Sequence, residues 1–121
     1  MSDPITGFFQ AWQVEDANAR LEIITQSVVK DIEYSDPRTP ECLSGIKALN
    51  DYVGLFSSNA PGWTARVVKT DTNTSITRVT VAFSGQGPDG IQQTQYGQYF
   101  IEQNSELITR MIGFVGTGEP E

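Results

Sequence analysis

The passage Tyr34-Ser35-Asp36-Pro37-Arg38-Thr39-Pro40-Glu41-Cys42-Leu43-Ser44-Gly45 sets one carboxylate on a proline-stiffened loop. Proline disfavours helical geometry at the residue before it and fixes the backbone after it, so the Asp36 side chain is confined to a narrow range of directions. A carboxylate held in this way is a candidate general base. The plainer reading of the same residue is a turn aspartate that caps backbone N–H groups near Pro37. The chain has no histidine, which removes imidazole as acid, base or metal ligand and with it every Ser/His/Asp or Cys/His arrangement. Asp31 and Glu33 lie close to Asp36 in sequence, but alternation sends them to the strand face opposite Ile32 and Tyr34. With no paired cysteines and no twelve-residue calcium loop, we expect no metal and no cofactor.

Composition narrows the partners. Fifteen acidic against eight basic residues give a net charge of −7, and no Lys/Arg cluster interrupts it, so nucleic acid and anionic membrane are disfavoured. No apolar run reaches the roughly twenty residues of a membrane span or resembles a secretion signal. The single cysteine, Cys42, cannot form an internal disulfide, and a cytoplasmic setting is the expectation. Cys42 is read as a small buried or half-buried side chain without a role. A chain of 121 residues can remove roughly two-thirds of its unfolded surface from water, enough for a core and a pocket.

The elements that must position Asp36 follow from periodicity. Ser2-Asp3-Pro4 reads as a capped helix start, after which Ile5, Phe8, Phe9 and Trp12 recur at helical spacing. A second helix opens near Asp16 with Leu21, Ile24 and Val28 on one face. The period then changes to two around Ile32 and Tyr34, which is a short strand leading into Asp36. A third helix carries Ile46, Leu49, Val53 and Phe56, entered at Ser44-Gly45 and ended by Asn59-Ala60-Pro61-Gly62. Four strands follow near 63–70, 75–85, 91–102 and 106–115, joined by turns at Asp71-Thr72-Asn73, Gly87-Pro88-Asp89-Gly90 and Gln103-Asn104-Ser105. The expected class is α+β, with three N-terminal helices on one face of a strongly curved, mostly antiparallel sheet. Residues 1–116 form one domain in this reading, and 117–121 a flexible acidic tail.

This order of elements resembles the nuclear transport factor 2-like superfamily, in particular its SnoaL-like and ketosteroid isomerase-like proteins. The resemblance covers nearly the whole chain. It rests on Phe8 to Trp12 leading into Glu15-Asp16, on the strand-Asp-Pro-loop-Ser-Gly-helix passage from Ile32 to Ile46, and on the closing strand Leu107-Ile108-Thr109-Arg110-Met111-Ile112-Gly113-Phe114. It implies a cone-shaped half-barrel with an internal pocket, and it matches Asp36 to the aspartate that moves a proton beside a carbonyl in the steroid isomerases. Two further positions depart from that pattern. Trp12 stands where those enzymes have an oxyanion-stabilising tyrosine, and Gly97 stands near their protonated aspartate. One oxyanion donor is worth on the order of 10²–10³ in rate, so the resemblance does not imply a true steroid isomerase.

If Gly97 faces the pocket, as the resemblance implies, Gln93, Gln95 and Tyr99 share that face. On the last strand Ile108, Arg110, Ile112 and Phe114 share a face that a rough alignment turns inward, placing a guanidinium near Asp36. The candidate site is therefore Asp36 as base, with Trp12, Gln95, Tyr99, Arg110 and Phe114 around a small, largely apolar organic ligand. The bland alternatives are core packing for Trp12, cross-strand packing for Tyr99, Gln95 and Trp63, and an outward Arg110 beside Glu102. Two classes of function remain open: a cofactor-independent isomerase, cyclase or hydratase, and a non-catalytic ligand-binding or dimerisation module. Apolar side chains on both faces of the later strands, and the resemblance itself, imply a homodimer through the outer sheet face.

Overall fold

The computed structural model describes residues 3–60, 62–104 and 106–116. Ser2, Pro61, Ser105 and the tail 117–121 lie outside the described residues. The first helix, α1 (Pro4–Gln10), starts where Asp3 accepts a hydrogen bond from the Ile5 N–H, with Pro4 in the first turn. A 3₁₀ turn, Ala11–Gln13, continues it, so that Ile5, Phe8, Phe9 and Trp12 form one buried aromatic stripe. The second helix, α2 (Ala17–Ser27), is capped by Asp16, whose carboxylate accepts from the Ala19 N–H at 2.8 Å. These are the cap chemistries that satisfy the otherwise orphaned donors of a first turn.

Strand β1 (Val28–Ser35) buries Val28, Ile32 and Tyr34 and exposes Asp31 and Glu33. A two-residue strand, β2 (Leu43–Ser44), pairs back onto β1 and was not foreseen, since two residues carry no periodicity. Gly45 then takes φ 95°, where a side chain would be strained, and α3 (Ile46–Asn59) begins. The remaining strands are β3 (Thr64–Asn73), β4 (Ile76–Gln86), β5 (Gln92–Asn104) and β6 (Leu107–Val115). They form an antiparallel meander, and β1 joins β6 in parallel, giving the order β2-β1-β6-β5-β4-β3. The two ends of this sheet, β2 and β3, do not pair, so the sheet is open. The helices cover one face of it, and the core is the layer between.

Three register breaks bend the sheet. They fall between Val67 and Lys69, between Val28 and Glu33, and between Glu102 and Gln103. The last matters for the site. Gln103 is opposite Ile108 and Glu102 is opposite Arg110, so Thr109 is an extra, unpaired residue in β6. One extra residue shifts the alternation by one step. Ile108 is buried, but beyond the bulge it is Met111 and Gly113 that face inward, while Arg110 is exposed and Phe114 is 54% exposed.

A buried guanidinium fastens the helical layer. Arg20 of α2 is 5% exposed, and its Nε donates to Asn50 Oδ1 of α3 at 2.8 Å. Its Nη1 donates to the carbonyls of Val14 and Glu15 at 3.0 and 3.3 Å. It lies against Gly54, where a Cβ would come within 2.5 Å of Nη2.

Candidate active site

Asp36 begins the loop after β1, and its carboxylate has two sides. Toward the turn, Oδ1 accepts from the backbone N–H groups of Arg38 at 2.8 Å and Thr39 at 3.1 Å. The Thr39 hydroxyl closes the turn against the Asp36 backbone. Toward the interior, Tyr34 Oη donates to Oδ2 at 2.7 Å, and Tyr52 Oη reaches both oxygens, at 2.8 Å for Oδ1 and 2.6 Å for Oδ2. Tyr34 Oη also lies 3.2 Å from Tyr99 Oη. Asp36 is thus a turn cap and the hub of a tyrosine network at once. A carboxylate offers about four lone-pair sites, and these donors occupy them.

Local structure explains each arm. Tyr34 and Asp36 are two residues apart on extended chain and so share a face. Tyr52 is on α3 one position before Val53 and three after Leu49, at the edge of the buried stripe. Tyr99 is on the inner face of β5, opposite Gly113 of β6. A Cβ on Gly113 would lie 2.7 Å from Tyr99 Cε2 and 3.1 Å from Asp36 Cβ, so the missing side chain is what lets the phenol and the carboxylate sit side by side.

Burial pushes the phenols of Tyr34, Tyr52 and Tyr99 above their ordinary range. For Tyr34 the next causes are the neighbouring Tyr99 and Asp36, and for Tyr52 the hydrogen bond to Asp36. At Tyr99 the hydrogen bond with Tyr34 acts the other way, yet burial prevails. All three are held as neutral hydroxyls, because the phenolate would lose its hydration and face a carboxylate.

The network borders a cavity of about 470 Å³ through Asp36, Tyr52 and Tyr99. Its walls are mainly aromatic: Trp12, Tyr52, Phe56, Trp63, Phe83 and Tyr99. The Trp12 indole packs at 5.2 Å from Phe56, 5.6 Å from Phe83 and 6.3 Å from Tyr52, ring centre to ring centre. Trp63 lies on Gly85 and donates from Nε1 to the Gln86 carbonyl at 3.2 Å. Arg38, Gln95, Phe114 and Val115 also line it, and all four are exposed.

Of the residues singled out in the sequence, Asp36, Trp12, Gln95, Tyr99 and Phe114 border this one cavity. Phe114 does so from the rim, because its ring stands on the outer sheet face against Phe100 at 5.7 Å. Arg110 is corrected: it is exposed, opposite Glu102, and not in the lining. The reason is the Thr109 bulge, which turns the guanidinium outward. Cys42 is exposed rather than buried. Among the described residues no group of three or more His, Cys, Asp or Glu side chains could hold a metal ion. No helix there is long and apolar enough to cross a membrane. Sequence reasoning passed over Tyr52 and the role of Tyr34. The signals were present in the helical spacing of Leu49, Tyr52 and Phe56 and in the two-residue step from Tyr34 to Asp36.

No protein-family model and no curated protein matches the sequence. Solved structures do match. A SnoaL-like family protein from Agrobacterium tumefaciens superposes with a TM-score of 0.78 at 20% identity, over 93% of this chain and 94% of that one. A Catenulispora acidiphila protein with a ketosteroid isomerase-like fold, in complex with trimethylamine, gives 0.77 at 11% identity over 97% and 88%. An NTF2-like protein from Exiguobacterium sp. 255-15 gives 0.74 at 13% identity over 95% and 99%. Identities this low speak to fold and leave activity to be argued from the site. Three helices laid on an open, bulged six-stranded sheet in this order therefore make the chain a representative of the nuclear transport factor 2-like fold, shared with SnoaL-like and ketosteroid isomerase-like proteins.

Proposed function

We propose that the cavity binds a small, largely apolar organic molecule and that Asp36 draws a proton from it through Tyr52, in cofactor-independent isomerase, cyclase or hydratase chemistry. The observation that carries this reading is the Asp36 carboxylate in the wall of an aromatic-lined cavity, bound by two tyrosine hydroxyls. Because its lone pairs are occupied, the carboxylate acts best through a hydroxyl. A ligand C–H or O–H gives its proton to Tyr52 Oη as the Tyr52 proton passes to Asp36, leaving a neutral tyrosine, a protonated Asp36 and an anionic ligand. Return of the proton to another ligand atom completes an isomerisation. Tyr52 is the natural relay because it is half-buried and its bond is shared between two oxygens, whereas Tyr34 is fully buried.

The test uses the two tryptophans, Trp12 and Trp63, the only ones in the chain, both of which border the cavity. A panel of cyclic ketones, enones and epoxides is screened by intrinsic fluorescence, and binders are followed for turnover. Asp36→Asn and Tyr52→Phe should each lower turnover at least 10²-fold. Turnover unchanged in both would sink the proton-transfer part.

A second reading, a non-catalytic binding or dimerisation module, is favoured by one observation. Phe100 and Phe114 are 40% and 54% exposed and pair edge to face on the outer sheet surface, which suits a homodimer through that face. Both readings sit in a cytoplasmic setting, supported by a lone cysteine without a partner for an internal disulfide.

A further inference from the structure

The hydroxyl network has a direction, and the direction selects the ligand. Tyr34 has one proton, and the 2.7 Å contact with Oδ2 of a carboxylate requires that proton to lie between them. Tyr34 therefore has only lone pairs left for Tyr99, and across the 3.2 Å contact it is Tyr99 that donates. The Tyr52 proton is likewise spent on Asp36. The reverse order would set two oxygens 2.7 Å apart with no proton between them. Two phenol protons thus end on the carboxylate and the third, from Tyr99, ends on Tyr34, so Tyr52 and Tyr99, both of which border the cavity, keep hydroxyl lone pairs to offer. The indole nitrogen of Trp12 is buried and does not reach the cavity surface. The other polar side chains of the lining are Arg38, Gln95 and Tyr96; the Arg38 charge opposes that of Asp36 at Tyr52 and Tyr99, yet burial still holds both phenols neutral. Asp36 and Arg38 are the two charged residues of the lining and cancel in formal charge.

We infer that the side of the cavity formed by the tyrosine network takes a neutral hydroxyl on an aromatic or cyclic ligand, as a hydrogen-bond donor to Tyr99 or Tyr52, and discriminates against carboxylates and phenolates. This rests on the small-molecule reading above and deepens it. An anion placed there would meet oxygen lone pairs backed by a carboxylate, with no proton free to greet it. A neutral hydroxyl completes the chain, donating into a series that ends on the charge. The aromatic walls supply area for a flat or cyclic body.

Calorimetric titration of the intact protein at pH 7 with 2-naphthol, 2-naphthoate and naphthalene tests the inference. 2-Naphthol should bind about 3- to 10-fold tighter than naphthalene, the span of a net hydrogen bond, and at least tenfold tighter than 2-naphthoate. Tyr99→Phe and Tyr52→Phe remove the two acceptors, and in at least one of them the advantage of naphthol over naphthalene should vanish. In Asp36→Asn the amide NH₂ faces the tyrosines, which must then accept from it and turn their protons toward the cavity. The order of naphthol and naphthoate should reverse. Naphthoate binding as tightly as naphthol in the unmodified protein would overturn the inference and leave the pocket reading intact. So would a naphthol advantage that survives in both phenylalanine variants, which stay informative even if Asp36→Asn does not fold. Failure of all three compounds to bind would instead overturn the small-molecule reading itself.

Discussion

Gly113 faces Tyr99 across the β5–β6 ladder so closely that a methyl group on it would lie 2.7 Å from the phenol ring. The third neighbour in that space is Asp36, whose Cβ would be 3.1 Å away. A residue with no apparent chemistry thus sets the distance between two that have it. Gly113→Ala should push the Tyr99 ring from its seat, break the 3.2 Å contact with Tyr34, and cost about 1–3 kcal/mol, the usual price of overpacking. Urea unfolding reads the stability, and titration with a cavity ligand reads the site. Loss of binding should exceed what the stability change explains, since most of the protein remains folded. An alanine variant with unchanged ligand affinity would show that the Tyr99 position is not critical.

The Arg20 guanidinium makes a second prediction, independent of the cavity. Alanine is normally favoured over glycine inside a helix by about 1 kcal/mol, yet a Cβ at Gly54 would come within 2.5 Å of Arg20 Nη2. The guanidinium cannot move without weakening its bonds to Asn50, Val14 and Glu15. Gly54→Ala should therefore destabilise by about 1–3 kcal/mol despite its better helix propensity, the range for disturbing a buried polar group. In Arg20→Ala the clash is gone, and the same Gly54→Ala change should become neutral or stabilising. The double-mutant cycle measured by thermal unfolding gives this sign reversal directly.

How far the sequence alone reached depends on what kind of information each feature needs. Asp3 and Asp16 announce their helices because a cap acts within three residues. The four later strands were visible in runs of β-branched and aromatic residues between turn clusters, and Asp36 was legible as a carboxylate fixed by Pro37. Arg110 was placed wrongly because alternation was carried through Thr109, and a bulge depends on the pairing of two strands rather than on one strand's pattern. The Tyr34–Tyr99 contact joins residues 65 apart in the chain, and no local rule brings them together. Tyr52 was lost among apolar residues of α3, where a phenol reads as packing until its partner is known.

The outer face of the sheet gives a prediction about assembly. Phe100 and Phe114 form an exposed aromatic pair, and Ile112 is opposite Phe100 in the ladder. An exposed aromatic patch of this kind suits twofold pairing. Sedimentation equilibrium at micromolar concentration should give twice the chain mass of 13.3 kDa. Phe100→Lys, which puts a charge in the patch without bordering the cavity, should return the mass to that of one chain while leaving cavity-ligand affinity unchanged. A single-chain mass for the unmodified protein would remove the proposed interface.

Alkaline pH should unfold the protein from its tyrosines outward. Three of the chain's four tyrosines are held above their ordinary pKa of 10.0, chiefly by burial. Below pH 10 the folded and unfolded chains hold the same phenolic protons, and this contribution to stability is complete. As pH rises past 10 the unfolded chain releases those protons while the folded chain keeps them, so the unfolded state binds fewer protons and stability falls. The fall continues until the folded-state values are reached. Each fully protected phenol contributes a slope of about 1.4 kcal/mol per pH unit. Tyr34 and Tyr99 should approach that value, and the more exposed Tyr52 should add less because solvent screens it. Denaturant titrations between pH 8 and 12 should show a plateau followed by this decline. Ultraviolet difference spectra of the native protein should show these phenols ionising only on unfolding. Tyr34→Phe should be less stable at pH 7, having lost the bond to Asp36, but decline less steeply above pH 10. A variant with an unchanged slope would mean that Tyr34 is not protected in the folded chain.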